Sequence, residues 1–115
     1  MADLTVYEKP TCTTCRQLAA LLTERGIDFE QVNYHVFPLP EEKIRELLRK
    51  ADLKPADALR RKEPLVKELD LDSKSDDEIV AAMAEHPELL QRPVVERGDR
   101  AVLARPVERV LELLP

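Results

Sequence analysis

The amino-acid sequence predicts an α/β domain built on a mixed four-stranded sheet, with the element order β-α-β, helical insert, β-β-α. Three observations lead to this prediction: a strand-helix-strand pattern opens the chain, its middle has helical patterns only, and a hairpin followed by a helix closes it. At 115 residues, the chain has the length of one domain. We therefore expect a single domain over 1–115, with a core from 3–34 and 91–115 and a helical insertion at about 40–87.

The first three elements follow from residue type and spacing. The stretch LTVYE (Leu4–Glu8) is rich in β-branched and aromatic residues and precedes Pro10, which predicts a strand that ends in a turn. Leucines at helical spacing within 13–25 predict a helix, and Gly26 stands where a helix is expected to end. The alternation in IDFEQVNY, residues 27–34, predicts a second strand parallel to the first, because a helix connects the two.

The middle of the chain is predicted to be helical. A helix is expected after Pro40, with acidic residues in its first turn and basic residues toward its end, as the helix dipole favours. Three further helical segments are predicted in PADALRRK, PLVKELDL and SDDEIVAAMAEH, the last with Ser75 and Glu78 as a capping box. No strand is predicted between 54 and 87.

Strand patterns return in the C-terminal part. RPVVER and RAVLA, separated by Gly98 and Asp99, predict a hairpin, and PVERVLELLP predicts a closing helix with Pro106 at its start. A parallel strand pair and an antiparallel hairpin in one small sheet, with helices over it, is the arrangement that a thioredoxin-like domain requires. The predicted fold is therefore thioredoxin-like with a helical insertion.

Composition restricts where the protein acts and what it binds. Hydrophobic residues make up 43% of the chain and charged residues 36%, which is typical of a folded, well-solvated domain. The net charge of -5 disfavours direct binding of nucleic acid, because phosphate contacts need clustered lysine and arginine. The N-terminus has no secretory pattern, and no window has the length needed to span a bilayer. We expect a monomer in the cytoplasm without membrane contact.

Two cysteines, Cys12 and Cys15, stand at the predicted turn between the first strand and the first helix. A thiol at the first turn of a helix faces free backbone N–H groups and the positive end of the dipole, which stabilise the thiolate. Such sites lower a thiol pKa from about 8.5 to a range of about 3.5–7.5. We therefore predict that Cys12 is a nucleophile. Cys15 lies on the same helical face, where it is expected to reach Cys12 as a resolving thiol.

Other interpretations of the cysteine pair stay open. A structural zinc site needs four ligands, and the chain has no second C-x-x-C, only His35 and His86 in unrelated contexts. Two inert buried cysteines are a second alternative, which the intervening threonines and the preceding proline disfavour because they indicate an exposed turn. A permanent disulfide is disfavoured in a reducing compartment. No metal and no bound organic cofactor are expected.

Four segments together resemble one family: YEKPTCTTCR at the first turn, LRRK in the insert, HPELLQRPVV before the third strand and ARP before the last helix. They are similar to the glutaredoxin-coupled arsenate reductase family and to its relatives, the Spx-type transcription regulators, over essentially all 115 residues. The resemblance implies a thioredoxin-like fold in which a cysteine thiolate attacks arsenate while three arginines hold the oxyanion. It also implies an external electron donor, either glutathione with glutaredoxin or thioredoxin.

Transferred one position at a time, the resemblance implies Cys12 as the nucleophile and three oxyanion-binding side chains, Arg61, Arg92 and Arg105. Arg61 is preferred to its close rival Arg60 because Lys62 follows it directly. Guanidinium groups suit this role, since they bind several oxygens of an anion and offset its charge beside a thiolate. Pro93 resembles the cis-proline that thioredoxin-like folds place opposite the reactive turn.

Two departures from the reductase pattern leave a second function open. Glu8 stands where reductases have a histidine, and its negative charge is expected to raise the pKa of Cys12. Cys15 replaces a serine and resembles the regulator branch, in which a C-x-x-C disulfide switches binding to RNA polymerase. Arg105 favours the reductase, because the regulators generally lack an arginine there. We expect an arsenate reductase-like thiol oxidoreductase, with a redox-switched regulator as the alternative.

Overall fold

A mixed four-stranded sheet forms the centre of the protein, with the strand order β2-β1-β3-β4. In the computed structural model, which describes residues 3–114, the strands are β1 (Leu4–Glu8), β2 (Phe29–Asn33), β3 (Val94–Arg97) and β4 (Arg100–Leu103). Strand β1 pairs in parallel with β2 and antiparallel with β3, which pairs antiparallel with β4. The predicted mixed sheet is confirmed. Residues 1, 2 and 115, with both ends of the predicted domain, lie outside the described residues.

Helix α1 (Thr13–Glu24) connects β1 to β2, as predicted. Its buried face consists of Cys15, Leu18 and Leu22, which recur at the spacing of helical turns. The two leucines pack with apolar residues of β1, β3, β4 and the C-terminal segment in one core cluster. Gly26 follows with φ +69°, a left-handed conformation that glycine adopts without a steric penalty.

The insert is helical and covers a second core cluster. It contains α2 (Glu41–Lys50), α3 (Leu65–Glu68), α4 (Asp76–Glu85) and short 3-10 turns at Pro55–Ala58, Leu71–Ser73 and Pro87–Leu89. The predicted capping box is confirmed, because Ser75 Oγ accepts from Glu78 N and Glu78 Oε1 accepts from Ser75 N, both at 3.3 Å. The prediction of helical structure alone missed one feature, an antiparallel bridge between Leu59 and Leu90 that closes the base of the insert.

The C-terminal part forms the predicted hairpin and ends in a 3-10 helix, whereas the helices α1 to α4 are α-helices. Gly98, with φ +59°, makes the turn between β3 and β4. The last segment, Val107–Leu113, is a 3-10 helix. Its apolar residues Val107, Val110 and Leu113 recur every third position, which suits a helix with three residues per turn.

Within residues 3–114, no helix has the length and apolar character needed to cross a bilayer.

Candidate active site

The turn after β1 places Cys12 at the N-terminal end of a helix. Cys12 is the N-cap of α1, and its backbone N–H donates to the Lys9 carbonyl at 2.9 Å. Its Sγ accepts a hydrogen bond from the backbone N–H of Cys15 at 3.3 Å. The free N–H groups of a first helical turn stabilise an anion at this position, so the local structure favours a Cys12 thiolate.

The two cysteines differ in exposure and in pKa. Cys12 is half-buried, whereas Cys15 is fully buried. Burial opposes the ionisation of Cys12, but hydrogen bonds from the Cys15 thiol and backbone, together with the Arg92 guanidinium, hold the pKa of Cys12 below its ordinary value. Burial and the neighbouring Cys12 raise the pKa of Cys15 to about 12. The pair therefore combines a thiolate-forming Cys12 with a neutral Cys15.

Glu8 acts on the buried cysteine of the pair, Cys15. Its side chain is buried, and burial raises the pKa of its own carboxyl group, against a hydrogen bond from Gln31. Its negative charge contributes to the raised pKa of Cys15, whereas hydrogen bonds from Cys15 and the charge of Arg92 act on Cys12. The pKa of Cys12 is lowered with Glu8 present, and the effect of the Glu8 charge on Cys12 stays a prediction.

An open pocket of about 370 Å³ lies at Cys12. Its lining combines residues of the reactive turn with cations from the insert and from both ends of the hairpin: Lys9, Thr11, Cys12, Thr13, Thr14, Arg60, Lys62, Arg92 and Arg105. None of these described residues carries a carboxylate. A pocket lined by charges of one sign concentrates ligands of the opposite sign, so this site suits a small anion.

Arg92 is the buried cation of the pocket. Only 5% of its surface is exposed, and among residues 3–114 its Nε and Nη1 have no hydrogen-bond partner. Buried polar groups without a partner are rare in folded proteins because they forfeit their hydration. The free donors beside Cys12 therefore indicate a site that an anion completes.

Arg105 lies next to Arg92 in space. Its Nη1 donates to the Arg92 carbonyl at 2.9 Å, and the Ala104 N–H donates to the Pro93 carbonyl at 2.9 Å. The peptide bonds Arg92–Pro93 and Arg105–Pro106 are both cis. Two of the three arginines implied by the family resemblance are thus brought to the same pocket as Cys12.

The insert contributes Arg60 to this pocket, and not Arg61 as the sequence motif suggested. Arg61 is exposed, and its guanidinium group pairs with Asp72 at 2.5 Å. Arg60 lines the pocket, its backbone N–H donates to the Leu89 carbonyl at 2.8 Å, and its Nε lies 3.4 Å from a Glu63 oxygen. Of the two arginines, Arg60 is therefore the one that lines the pocket at Cys12.

Three further side chains near the site were not assigned a role from the sequence. Lys9 and Lys62 line the pocket, and the available indications were the position of Lys9 at the reactive turn and the basic run RRK that ends at Lys62. His35 has a buried Nε2 without a partner among residues 3–114. Burial and the charges of Arg92 and Lys9 lower the pKa of His35, which favours a neutral imidazole.

Residue types that bind metal ions are not clustered in residues 3–114. Among the described residues, no group of three or more His, Cys, Asp or Glu side chains is placed to hold a metal ion.

The fold and the cysteine site define a thioredoxin-like thiol oxidoreductase. The ArsC family model matches residues 7–113, and the chain belongs to this family. It is 34% identical to an arsenate reductase of Neisseria meningitidis (strain Z2491) over 99% of this chain and 100% of that one. It is also 36% identical to the uncharacterized protein YfgD of Escherichia coli K12, over 95% and 94% of the two chains.

Solved structures agree with this assignment. An arsenate reductase from Vibrio cholerae is 37% identical and superposes with a TM-score of 0.94, over 99% of this chain and 100% of that one. A putative arsenate reductase from Yersinia pestis is 36% identical, with a TM-score of 0.89 over 96% and 99% of the two chains. The predicted thioredoxin-like fold is confirmed.

Proposed function

We propose that the protein is a cytoplasmic, monomeric arsenate reductase in which the Cys12 thiolate attacks arsenate held by Arg60, Arg92 and Arg105. The observation that supports this function best is the buried guanidinium of Arg92, whose free donors lie beside a cysteine with a lowered pKa. The relatives named arsenate reductase make arsenate the first substrate to test.

The cations of the pocket offset the electrostatic repulsion between the two reactants of the first step. Arsenate and a thiolate are both negative, so their approach is unfavourable unless positive charge offsets both. Planar guanidinium groups bind oxygens in pairs and carry a permanent charge, and the Arg105 guanidinium is held by a 2.9 Å hydrogen bond to the Arg92 backbone carbonyl. Lys9 and Lys62 add positive charge at the same pocket.

Attack forms a sulfur–arsenic bond at Cys12 Sγ. One arsenate oxygen takes up protons and leaves as water, so the adduct is a thioester-like arsenate that still contains arsenic(V). The negative charge that develops on the oxygens in this step is stabilised by the arginines, which are already in place and need little reorganisation.

Arsenite is released when a second thiol attacks Cys12 Sγ. A disulfide forms, the sulfur–arsenic bond breaks, and its electron pair stays on arsenic, which becomes arsenic(III). In sum, one arsenate and two thiols give one arsenite, one disulfide and one water. An external thiol is favoured over Cys15 for this step, because Cys15 is fully buried and its raised pKa keeps it protonated. Glutathione with glutaredoxin, or thioredoxin, would then reduce the enzyme.

Arsenate-dependent consumption of NADPH tests this function. The purified protein is assayed once with glutathione, glutaredoxin and glutathione reductase, and once with thioredoxin and its reductase. Cys12→Ser is expected to lower turnover by about 10⁴-fold or more, since it removes the nucleophile. Cys15→Ser is expected to retain turnover with glutathione. No arsenate-dependent turnover of the wild-type protein with either donor system would overturn the proposal.

A redox-switched regulator that binds RNA polymerase is the second candidate. It is favoured by the contact between the two cysteines, in which Cys15 N lies 3.3 Å from Cys12 Sγ. The variant Arg105→Ala separates the two functions. An arsenate reductase should lose activity in this variant, whereas a disulfide switch and polymerase binding should persist.

A further inference from the structure

His35 lies at the edge of the sheet where the reactive turn begins. The parallel pairing of β1 and β2 ends with Glu8 opposite Asn33, so both strands leave the sheet at the same edge. Strand β1 continues into Lys9 and the reactive turn, whereas β2 continues into a turn in which the His35 backbone N–H donates to Asn33 Oδ1 at 3.1 Å. The charges of Lys9 and Arg92, two cations of the Cys12 pocket, consequently act on the His35 imidazole.

The imidazole of His35 packs against Tyr34, and one of its nitrogens has no partner. The centroids of the two rings are 4.7 Å apart. Tyr34 is buried, and its hydroxyl donates to the Leu90 carbonyl at 2.7 Å, which fixes it to the segment that leads to Arg92. His35 Nε2 is buried, and within residues 3–114 it has no hydrogen-bond partner. Because unpaired buried nitrogens forfeit their hydration, His35 and Arg92 both carry groups that a bound ligand can satisfy.

The charges that face His35 come from four segments of the chain. Burial has the largest effect and opposes protonation, and the cations Arg92 before β3 and Lys9 at the reactive turn act in the same direction. Two carboxylates favour protonation, Glu88 in the 3-10 turn after α4 and Glu63 in the insert. The net result is a His35 pKa below its ordinary value. An oxyanion in the Cys12 pocket offsets the charges of Arg92 and Lys9, so it favours the imidazolium form.

We propose that the Cys12 pocket binds an oxyanion together with a proton, and that His35 takes up this proton. By reciprocity, the anion favours the imidazolium form and the imidazolium form favours the anion by the same factor. The coupling operates between the pKa of His35 in the free protein and its higher pKa in the complex. Above this interval the imidazole is neutral in both states, and below it the imidazole is charged in both. The affinity for the anion therefore rises as the pH falls through the interval.

The proton has a use when the anion is arsenate, and this part of the inference rests on the proposed function. Dihydrogen arsenate, the Cys12 thiolate and one proton from the His35 imidazolium give water and the singly charged sulfur–arsenic adduct. The sulfur–arsenic bond forms, one arsenic–oxygen bond breaks, and the imidazole returns to its neutral form. A positioned proton donor typically contributes about 10²-fold or more to the rate of such a step.

The titration of His35 with and without sulfate tests the proton uptake. Sulfate is a tetrahedral oxyanion that stays a dianion over the range of about pH 5–8 in which histidine titrates, and Cys12→Ser removes the titration of the reactive thiol. The chain contains two histidines, so proton NMR spectra show two imidazoles, and His86→Gln assigns them. Saturating sulfate should raise the His35 midpoint by about 1 pH unit and leave that of His86 in place. An unchanged His35 midpoint, or no binding of sulfate at all, would overturn the proposal.

The affinity for sulfate in the Cys12→Ser background gives the reciprocal measurement. Calorimetric titration should show an affinity about tenfold higher at pH 5 than at pH 8, the equivalent of a shift of about 1 pH unit. His35→Phe keeps a ring against Tyr34 and His35→Gln keeps a polar side chain, and both should lose this pH dependence. His86→Gln, the matched control, should retain it. Equal pH dependence in the folded His35 variants and in the control would contradict the role of His35.

Arsenate turnover separates this inference from the proposed function. With Cys12 present, His35→Phe should lower kcat by about 10²-fold at pH 7, and His86→Gln should not. If arsenate is not reduced but sulfate raises the His35 midpoint, the proton-linked anion site stands while the proposed function fails. If arsenate is reduced and the midpoint does not move, the proposed function stands and this inference fails. An unchanged kcat in His35→Phe would overturn the use of the His35 proton in the chemical step.

Discussion

Two groups of basic side chains lie against the same sheet, and they differ in the anions around them. In the first, which we call the Glu96 network, the ammonium groups of Lys43 and Lys50 each contact Glu46 and Glu96 at 2.5–3.0 Å. In the second, the Cys12 pocket, the cations make one ion pair among the described residues, between Arg60 Nε and a Glu63 oxygen at 3.4 Å. The same residue types are therefore neutralised in one place and left available in the other.

The Glu96 network joins the insert to the hairpin. Glu96 Oε1 accepts from the Tyr7 hydroxyl at 2.8 Å, and Lys50 donates to the Gly98 carbonyl at 2.9 Å. Strand β1, helix α2 and the β3–β4 hairpin are thus connected through one carboxylate. Every partner is satisfied within the protein, so this group stabilises the fold.

The Cys12 pocket is built in the opposite way. Bringing several cations together with a carboxylate partner for Arg60 alone among the described residues costs free energy, since like charges repel and Arg92 is buried with free donors. An incoming anion offsets this cost. The difference between the two groups indicates that the functional site is marked by cations without a carboxylate partner, and not by the number of cations.

Between the two groups of basic side chains, the largest effect is expected from Arg60, the insert arginine that lines the Cys12 pocket. Arg60→Ala should lower kcat/KM for arsenate by about 10²-fold, the usual effect of removing one positioned donor to a developing anion. Arg61→Ala should change it by less than about twofold, because an exposed ion pair such as the one with Asp72 contributes little. Kinetics of the two variants side by side provide the measurement. The reverse result would restore the assignment made from the sequence motif.

A smaller effect, on stability alone, is expected in the Glu96 network. Glu96→Gln should lower the free energy of unfolding by about 1–3 kcal/mol, because Lys43, Lys50 and Tyr7 lose a common charged acceptor. Urea unfolding measures this change, and arsenate turnover should stay at the wild-type level. Glu112→Gln, which removes an exposed pair, should change stability by less than about 0.5 kcal/mol. A loss of turnover in folded Glu96→Gln would show that the Glu96 network also contributes to activity, and would contradict the division between a stabilising group and a functional one.

The stability difference should also depend on pH. Burial opposes ionisation of Glu96, but hydrogen bonds from Lys50 and Lys43 hold its pKa below the ordinary value of 4.5. Its contribution to stability is therefore fully present above the unfolded pKa of about 4.5 and is lost as the pH falls through the folded pKa. Unfolding of the wild-type protein and Glu96→Gln should differ at pH 7 and converge in acid. A difference that persists at low pH would assign the effect to packing.

The smallest effect concerns the reactivity of Cys12. The Arg92 charge helps to lower the pKa of this thiol, so Arg92→Met should move the midpoint of its titration upward. Its alkylation by iodoacetamide at pH 7 should slow by a few-fold, because only the thiolate reacts. The pH dependence of the alkylation rate gives the midpoint, with Arg61→Met as the matched control. An unchanged midpoint would mean that the helix N-terminus and Cys15 lower the pKa of Cys12 without a contribution from Arg92.

Elements with local determinants were predicted well. Strand β1, the start of α1 at Thr13 and the capping box at Ser75 follow from residue types that are neighbours in sequence. The type of the last helix was not anticipated, although Val107, Val110 and Leu113 showed the period of three. That pattern is too short to distinguish a 3-10 helix from an α-helix. The packing of these residues in the core selects the 3-10 helix.

The sequence by itself determined the order of the elements, the placement of Cys12 at a helix N-terminus and the residue types available to bind an anion. Only the tertiary structure decided that Arg60 faces Cys12, that Arg92 is buried beside it and that the Glu8 charge acts on Cys15. The physical reason is that capping and periodicity act between near neighbours. The direction and burial of a side chain depend on contacts such as the Leu59–Leu90 bridge, which joins segments distant in sequence.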